Sequence, residues 1–476
     1  MSAPASTIAH SALGDAVTRV DSTVAVHDAS VLASDKLDGL VRDAVFGETD
    51  ARDYARWLLW EIGQAVGVRP ASIHELYAAR GRGEVKGGFT VPAMNIRGAT
   101  YDTARSIFRV AKQIDGGAFL LEIARSEIAY TEQRPAEYVA VLIGAALREG
   151  FRGPLFIQGD HFQVNHKKYA ADPVAEVNNV KKLADEAIAA GFYNIDVDTS
   201  TLVDLSHATL EEQQRKNFEE CAAITAYIRA QEPKGVTISI GGEIGEVGTE
   251  NSTVSELRAF MDGYNKTLAQ VAPGAAGLSK ISVQSGTSHG GIVLPDGSIA
   301  AVSLDLKTLE DLSKVARDEY GMCGAVQHGA STLPDEAFHH FPRTETGEIH
   351  LATNFQNMLY DHIPATLREE IYGWLRTNAA EERKPTDSDE QFYYKSRKKA
   401  IGPFKKELWA LDADTKAKLA AAYDAKFAFL FTQLGIGGTK AAVKQTVKPL
   451  AIHRPMPGTP GHIVVEAAPD DASLSD

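Results

Sequence analysis

The sequence predicts an α/β fold, a (β/α)8 TIM barrel with an N-terminal helical extension and a C-terminal helical arm. Three observations predict it. From Gly88 onward, short β-branched runs alternate with amphipathic stretches, the texture of parallel strands covered by helices. The runs number eight, the count that closes such a barrel. Acids and imidazoles gather where the runs end, and in this barrel the C-terminal strand ends carry the chemistry. An open doubly wound sheet is the alternative arrangement of the same units.

In chain order, residues 31–80 show helical patterning (LASDKLDGLVRDAV, YARWLLWEIGQAVG) closed by the glycine-rich ARGRGEVKGG, so residues 1–85 are expected to form a helical extension. The eight strands are FTVPAMNI (89–96), AFLLEIA (118–124), PLFIQGD (154–160), NIDVDTS (194–200), VTISIGGE (236–243), KISVQSGT (280–287), GAVQHGA (324–330) and EIHLATN (348–354). Helical patterns such as DTARSIFRVAKQI and EVNNVKKLADEAIAAG separate them, and the barrel spans 86–376. A polar segment and the basic run YYKSRKKAIGPFKK then lead into a helix around 411–434, which makes 377–435 the arm. Residues 436–476 lack periodicity and read as a tail.

Composition narrows the function classes. At 44% apolar and 24% charged residues the chain is an ordinary globular one, not disordered, collagenous or coiled-coil. A net charge of −14 leaves no overall basic footprint for nucleic acid. Two cysteines, Cys221 and Cys323, exclude a disulfide scaffold and a thiolate zinc site. The first residues lack a basic and apolar leader pattern, and no stretch reaches the length needed to span a bilayer, so a cytoplasmic location is expected, with neither nucleic acid nor membrane as partner.

The strand ends are consistent with one another. The third strand ends in Gln158-Gly159-Asp160-His161, the fifth in Gly242-Glu243, the sixth in Thr287-Ser288-His289-Gly290 and the seventh in Gln327-His328-Gly329. Three imidazoles with an acid or water make a tetrahedral zinc set, whereas hard cations take oxygen-rich sites. His166, His207, His339, His340, His350 and His362 lack this placement and read as ordinary histidines. Consecutive residues on a regular strand face opposite sides, so Asp160 and His161 share the mouth only if the strand end twists or bulges. Asp160 then suits general acid–base work beside the metal.

In this order QGDHF, GGEIGEVGTENS, SGTSHGG, VQHGAS and the Asn354 that closes the eighth run resemble the class II fructose-bisphosphate aldolase family. FTVPAMNI, with Asn95, is similar to the family's first strand, TSTLVDLS to its fourth-strand segment and EIARSE to its serine turn; the resemblance covers about residues 85–410. It implies a catalytic zinc, or another divalent metal, on His161, His289 and His328, with Glu243 at the buried position of a mobile zinc, and leaves room for a monovalent cation as a further cofactor. It makes Asp160 the base at the C4 hydroxyl and gives Asn354 hydrogen bonds to the enediolate. Glu250, with Glu246 as the weaker choice, is expected to supply a second acid or base from the loop after the fifth strand, where this chain departs from the family's GGxED.

The implied substrate is a sugar phosphate. Ser126, Gly290, Gly329, Ser331 and Asn357 are the expected anion pocket, although the family's HGGSG reads His328-Gly329-Ala330-Ser331-Thr332 and its NIDT turn reads Asn354-Phe355-Gln356-Asn357. A second phosphate is assigned to Arg397 and Lys399 of the basic run, reaching a neighbouring subunit in a homodimer or homotetramer. The competing readings are a non-catalytic aldolase-like subunit and a metal-dependent barrel hydrolase; Met94-Asn95-Ile96-Arg97 lacks the HxH pair the latter uses.

Overall fold

The computed structural model describes residues 13–20, 23–245, 250–286, 294–296, 304–459 and 461–466. Its barrel strands are β1 Val91–Asn95, β2 Leu120–Ala124, β3 Gly153–Gln163, β4 Asn194–Asp198, β5 Ser239–Glu243, β6 Lys280–Val283, β7 Ala325–Gln327 and β8 Glu348–Leu351. Each pairs in parallel with the next, and β8 returns to β1 through Glu348↔Val91 to Leu351↔Met94. That closure decides for the barrel over the open sheet. Every residue of β1, β2 and β4 is buried, as expected for parallel strands covered on both faces.

The covering helices have sequence-encoded ends. Asp172 accepts from the Ala175 amide ahead of Pro173, and that helix stops at Gly191 with φ 109°. Thr253 and Glu256 form a capping box, and Asp305 caps the helix before β7. No described helix is long and apolar enough to cross a membrane.

Two regions depart from expectation. The segment before residue 86 carries strands as well as helices: Val17–Val20 pairs antiparallel with Thr23–Val26, and Val68–Ala71 pairs in parallel with Gly153 to Phe156 of β3. Pro70 masks that short strand in the sequence, and tertiary pairing rather than propensity sustains it. β3 is therefore shared: its first half meets the added strand and its second half meets β4. Residues 436–476, read as a tail, contain the helix Lys440–Thr446 and the strand Ala451–His453. The latter docks on the helix Thr49–Val66, where Trp60 Nε1 donates to the Ile452 carbonyl (2.5 Å), Trp57 Nε1 to that of Arg454 (2.9 Å), and the Ile452 amide to Gln64 Oε1 (2.9 Å). A segment held by such hydrogen bonds needs no hydrophobic period, so none was legible.

A close approach shapes the end of β3. A Cβ on Gly159 would stand 2.4 Å from the ring of Phe162, which is fully buried. Gly159→Ala is therefore expected to cost about 1–3 kcal/mol as an overpacked core position, read from the denaturant midpoint; an unchanged midpoint would contradict it.

Candidate metal and substrate site at the barrel mouth

The register between β3 and β4 slips between Gly159 and Phe162, and inside that bulge His161 adopts φ 41°. A non-glycine residue in this region is strained, and such strain gathers at functional sites. The bulge resolves the facing problem posed by consecutive residues, since Asp160 and His161 both line the cleft at the mouth.

Around them the donors converge. His161 Nδ1 lies 3.1 Å from Asp198 Oδ2 and 3.5 Å from Glu243 Oε2, and Nε2 lies 3.7 Å from Asp160 Oδ1. The His328 ring, just past β7, stands 4.4 Å from that of His161, and its Nε2 is 2.8 Å from Ser282 Oγ. Ligand atoms of Asp160, His161 and His328 fall within 4.8 Å of one another, as do those of His161, Asp198 and Glu243. His289 and Gly290 lie outside the described residues.

Carboxylates surround the His161 ring. Burial disfavours the imidazolium of His161, yet Asp160, Asp198 and Glu243 outweigh it and hold the ring well above the usual histidine range. Burial, with Asp198 adding to it, pushes Glu243 up to about 8. Asp198 goes down despite burial, because His161, Ser200 and Gln163 hydrogen-bond its charged form. With Nδ1 held by Asp198, Nε2 is the His161 atom suited to a cation, the usual carboxylate–histidine support of a metal ligand. Imidazole nitrogens with carboxylate oxygens fit zinc or another borderline divalent ion.

Below the mouth lies a polar network that sequence reasoning missed. His350, read as ordinary, is buried with Nδ1 3.2 Å from Asp160 Oδ1 and 3.1 Å from Glu122 Oε1, and Nε2 2.7 Å from Glu348 Oε1. Its ring stacks on His328 at 4.1 Å. Lys280 Nζ donates to Gln158 Oε1 (2.7 Å), meets Asp196 Oδ1 at 2.9 Å, and contacts Glu348, which also accepts from the Tyr77 hydroxyl. Burial raises Glu122 to about 7, whereas Lys280 and His350 reverse the effect of burial on Glu348 and take it down to about 2. The available signal was a period of two: Gln158 and Asp160, Asp196 and Asp198, Glu348 and His350 alternate along otherwise apolar strands, so each pair faces the interior.

The cleft measures about 540 Å³. Ser126, Gly329 and Ser331 line it. Asn95 is buried, and its Nδ2 donates to Asp160 Oδ2 (3.4 Å). Glu250 is exposed and not among the lining residues, and Glu246 is outside the described ones. Other expectations need correction. β8 ends at Leu351, so Asn354 does not end the strand but sits in the first turn of the helix Thr353–His362, and Ala352 and Thr353 occupy the mouth. Asn357 Oδ1 accepts from Arg397 Nη2 (2.5 Å), and that guanidinium lies buried between the rings of Tyr360 and Tyr394, 4.9 Å from each. Lys399 pairs with Glu382 (2.5 Å) and Glu381 (3.1 Å). Residues 397–400 form a 3₁₀ turn, in which successive side chains diverge by about a third of a turn, so Lys398 alone of the three lines the cleft.

A family model described as fructose-bisphosphate aldolase class-II matches residues 84–408, more than half of the chain. Among solved structures, the fructuronate-tagaturonate epimerase UxaE of Cohnella laeviribosi matches at 12% identity and TM-score 0.53 over 88% of this chain and 93% of its own. The "probable tagatose 6 phosphate kinase" of Sinorhizobium meliloti matches at 15% and 0.52 over 75% and 100%. The fructose-bisphosphate aldolase of Campylobacter jejuni matches at 15% and 0.43 over 76% and 92%. No curated protein sequence matches the chain. These identities show the fold alone.

The buried network carries its own expectation. Lys280→Met strands Asp196 and Glu348 as buried acids without their shared cation, which should cost about 3–5 kcal/mol in a denaturation experiment at neutral pH. A loss under about 1 kcal/mol would mean the acids do not depend on the lysine.

Proposed function

The chain belongs to the class II fructose-bisphosphate aldolase family, and on that premise we propose that it is a zinc-dependent lyase that reversibly cleaves a phosphorylated ketose. The substrate would be fructose 1,6-bisphosphate or a related ketose phosphate, and the products dihydroxyacetone phosphate and an aldehyde. The observation that carries this reading is the convergence of Asp160, His161 and His328 within 4.8 Å at the bulged end of β3.

His161, His289 and His328 would hold the divalent metal, with Glu243 at its second position. Such a cation supplies Lewis acidity at the ketose carbonyl. Asp160 takes the proton from the C4 hydroxyl as the C3–C4 bond breaks and returns it in condensation; Asn95 and His350 hold its carboxylate at the cleft. Glu250 is the candidate for the proton at the carbon released by cleavage. Gly329, Ser331 and Ser126 offer one anion site. Asn354, whose Oδ1 is buried with no hydrogen-bond partner among the described residues, is the candidate for hydrogen bonds to the enediolate, and Asn357, which accepts from Arg397, the candidate beside a phosphate. Assembly as a homodimer or homotetramer in the cytoplasm belongs to the same proposal.

Retro-aldol assays on the full-length protein over a panel of ketose mono- and bisphosphates test it. Chelation should abolish cleavage and zinc restore it; full activity in metal-free protein would overturn the reading. Following the same reactions by NMR also detects an epimerised ketose, the type of product implied by the name of the Cohnella relative. Asp160→Asn should lower kcat by about 10²–10⁴-fold with metal content retained, and loss of the metal instead would make Asp160 a ligand.

A further inference from the structure

A helix of the N-terminal segment seals the barrel floor and reaches the site from below. The helix His74–Gly81 ends before residue 84, where the family match begins, so its contribution is additional to the residues that the aldolase reading uses. It is firmly seated. Arg80, buried beside the chain that leads into β8, donates to the carbonyls of Glu345 (3.3 Å), Thr346 (3.4 Å) and Gly347 (3.5 Å). A Cβ on Gly81 would stand 2.0 Å from the Gly321 carbonyl oxygen, so helix end and loop meet backbone to backbone. Just ahead of the helix, the Ile73 amide donates to Asn194 Oδ1 (2.9 Å) at the start of β4.

From this anchored helix the fully buried Tyr77 hydroxyl donates to Glu348 Oε2, and among the described residues nothing else donates to that oxygen. The other oxygen, Oε1, takes Lys280 Nζ, Gln158 Nε2 (3.0 Å) and His350 Nε2 (2.7 Å). Tyr77 therefore sets the plane of the carboxylate, and the carboxylate holds one end of the His350 ring. At the other end Nδ1 lies between two acids, 3.1 Å from Glu122 Oε1 and 3.2 Å from Asp160 Oδ1. The distances are nearly equal, so a small turn of the ring decides which carboxylate it supports. Tyr77, Glu348, His350 and Asp160 are all buried, where hydrogen bonds are electrostatically stronger than in water.

We infer that Tyr77 is a positioning residue for the reaction: through Glu348 it fixes the tilt of His350, and so the orientation of the Asp160 carboxylate at the cleft. The inference rests on the aldolase reading for what Asp160 does. Floor and mouth are then mechanically joined, and the segment before residue 84 serves catalysis without touching substrate. A displacement of about 1 Å at a catalytic group can cost roughly 100-fold in rate even when the altered residue is remote, so the effect belongs in kcat.

Tyr77→Phe removes the hydroxyl and keeps the ring. In full-length, metal-loaded protein it should lower kcat about 10- to 100-fold on the ketose cleaved fastest, with KM and metal content within about twofold of the unmodified protein. An unchanged kcat per folded molecule, with only a lower denaturant midpoint, would make Tyr77 a packing residue and overturn the inference. In the His350→Gln background the same change should cost less than about twofold more, because the chain of contacts is already cut; a full repeat of the loss overturns the route through His350. 4-Aminophenylalanine at position 77, a weaker donor on the same ring, should fall between tyrosine and phenylalanine. It serves alone where Tyr77→Phe does not fold, and a kcat equal to that of the unmodified protein then overturns the inference. Where the unmodified protein cleaves no ketose, the aldolase reading fails, and crystals of either variant decide the coupling separately. A His350 ring turned away from Asp160 supports it, and a ring still placed between Glu122 and Asp160 overturns it.

Discussion

The mouth of this barrel depends on one irregularity in one strand. β3 is recruited at its start by a strand from the N-terminal segment and at its end by β4, and the register slips where it passes from Gly159 to Phe162. The slip lets Asp160 and His161 face the same cleft, with His161 held at φ 41° by its hydrogen bond to Asp198 and the packing around it. A left-handed residue without glycine's freedom costs of order 1–3 kcal/mol, and the surrounding structure must over-determine it. The absent Cβ at Gly159 leaves room for the Phe162 ring that packs beneath.

The second constraint is charge inside the barrel. Barrel interiors are ordinarily filled by branched apolar side chains. Here Glu122, Asp160, Asp196 and Glu348 share the interior with Lys280 and His350. Desolvating so many charges outweighs any single pair's attraction, so the network is weak evidence for stability and stronger evidence for function. Burial holds the Glu122 carboxyl above the usual carboxylate range, which eases its share of the negative excess. What remains lies at the level of Asp160, Asp198 and Glu243, where a divalent cation would complete the balance. Tyr77 meets Glu348 from the N-terminal segment, so that segment closes the barrel floor as well as extending the sheet.

Much of this was legible in the sequence. All eight strands lie where the β-branched runs placed them, because burial on both faces leaves a plain apolar signature. Asp160, His161, Glu243 and His328 were readable from glycine-flanked polar residues at strand ends. Lys280 and Glu122 were not, since a single polar residue within an apolar strand is as easily an outward-facing or solvated one, and only closure of the ring shows that these meet; His350 was marked only by its spacing of two from Glu348. The strand after Lys440–Thr446 was invisible because side-chain-to-backbone hydrogen bonds hold it. In the basic run the composition was plain but the direction of each side chain was not: a 3₁₀ turn sends Arg397 between two tyrosines, Lys399 to Glu381 and Glu382, and Lys398 to the cleft.

The central claim is that the bulged end of β3 and the residue after β7 together hold a catalytic metal. Anomalous scattering at the zinc edge, from crystals of the full-length protein grown with zinc, tests it most directly. The account predicts a peak at the mouth bonded to nitrogens of His161 and His328, with His289 completing the set. A peak confined to the interior acids around Asp196 and Glu122, or no peak at the mouth in crystals of protein that cleaves its ketose, would contradict it.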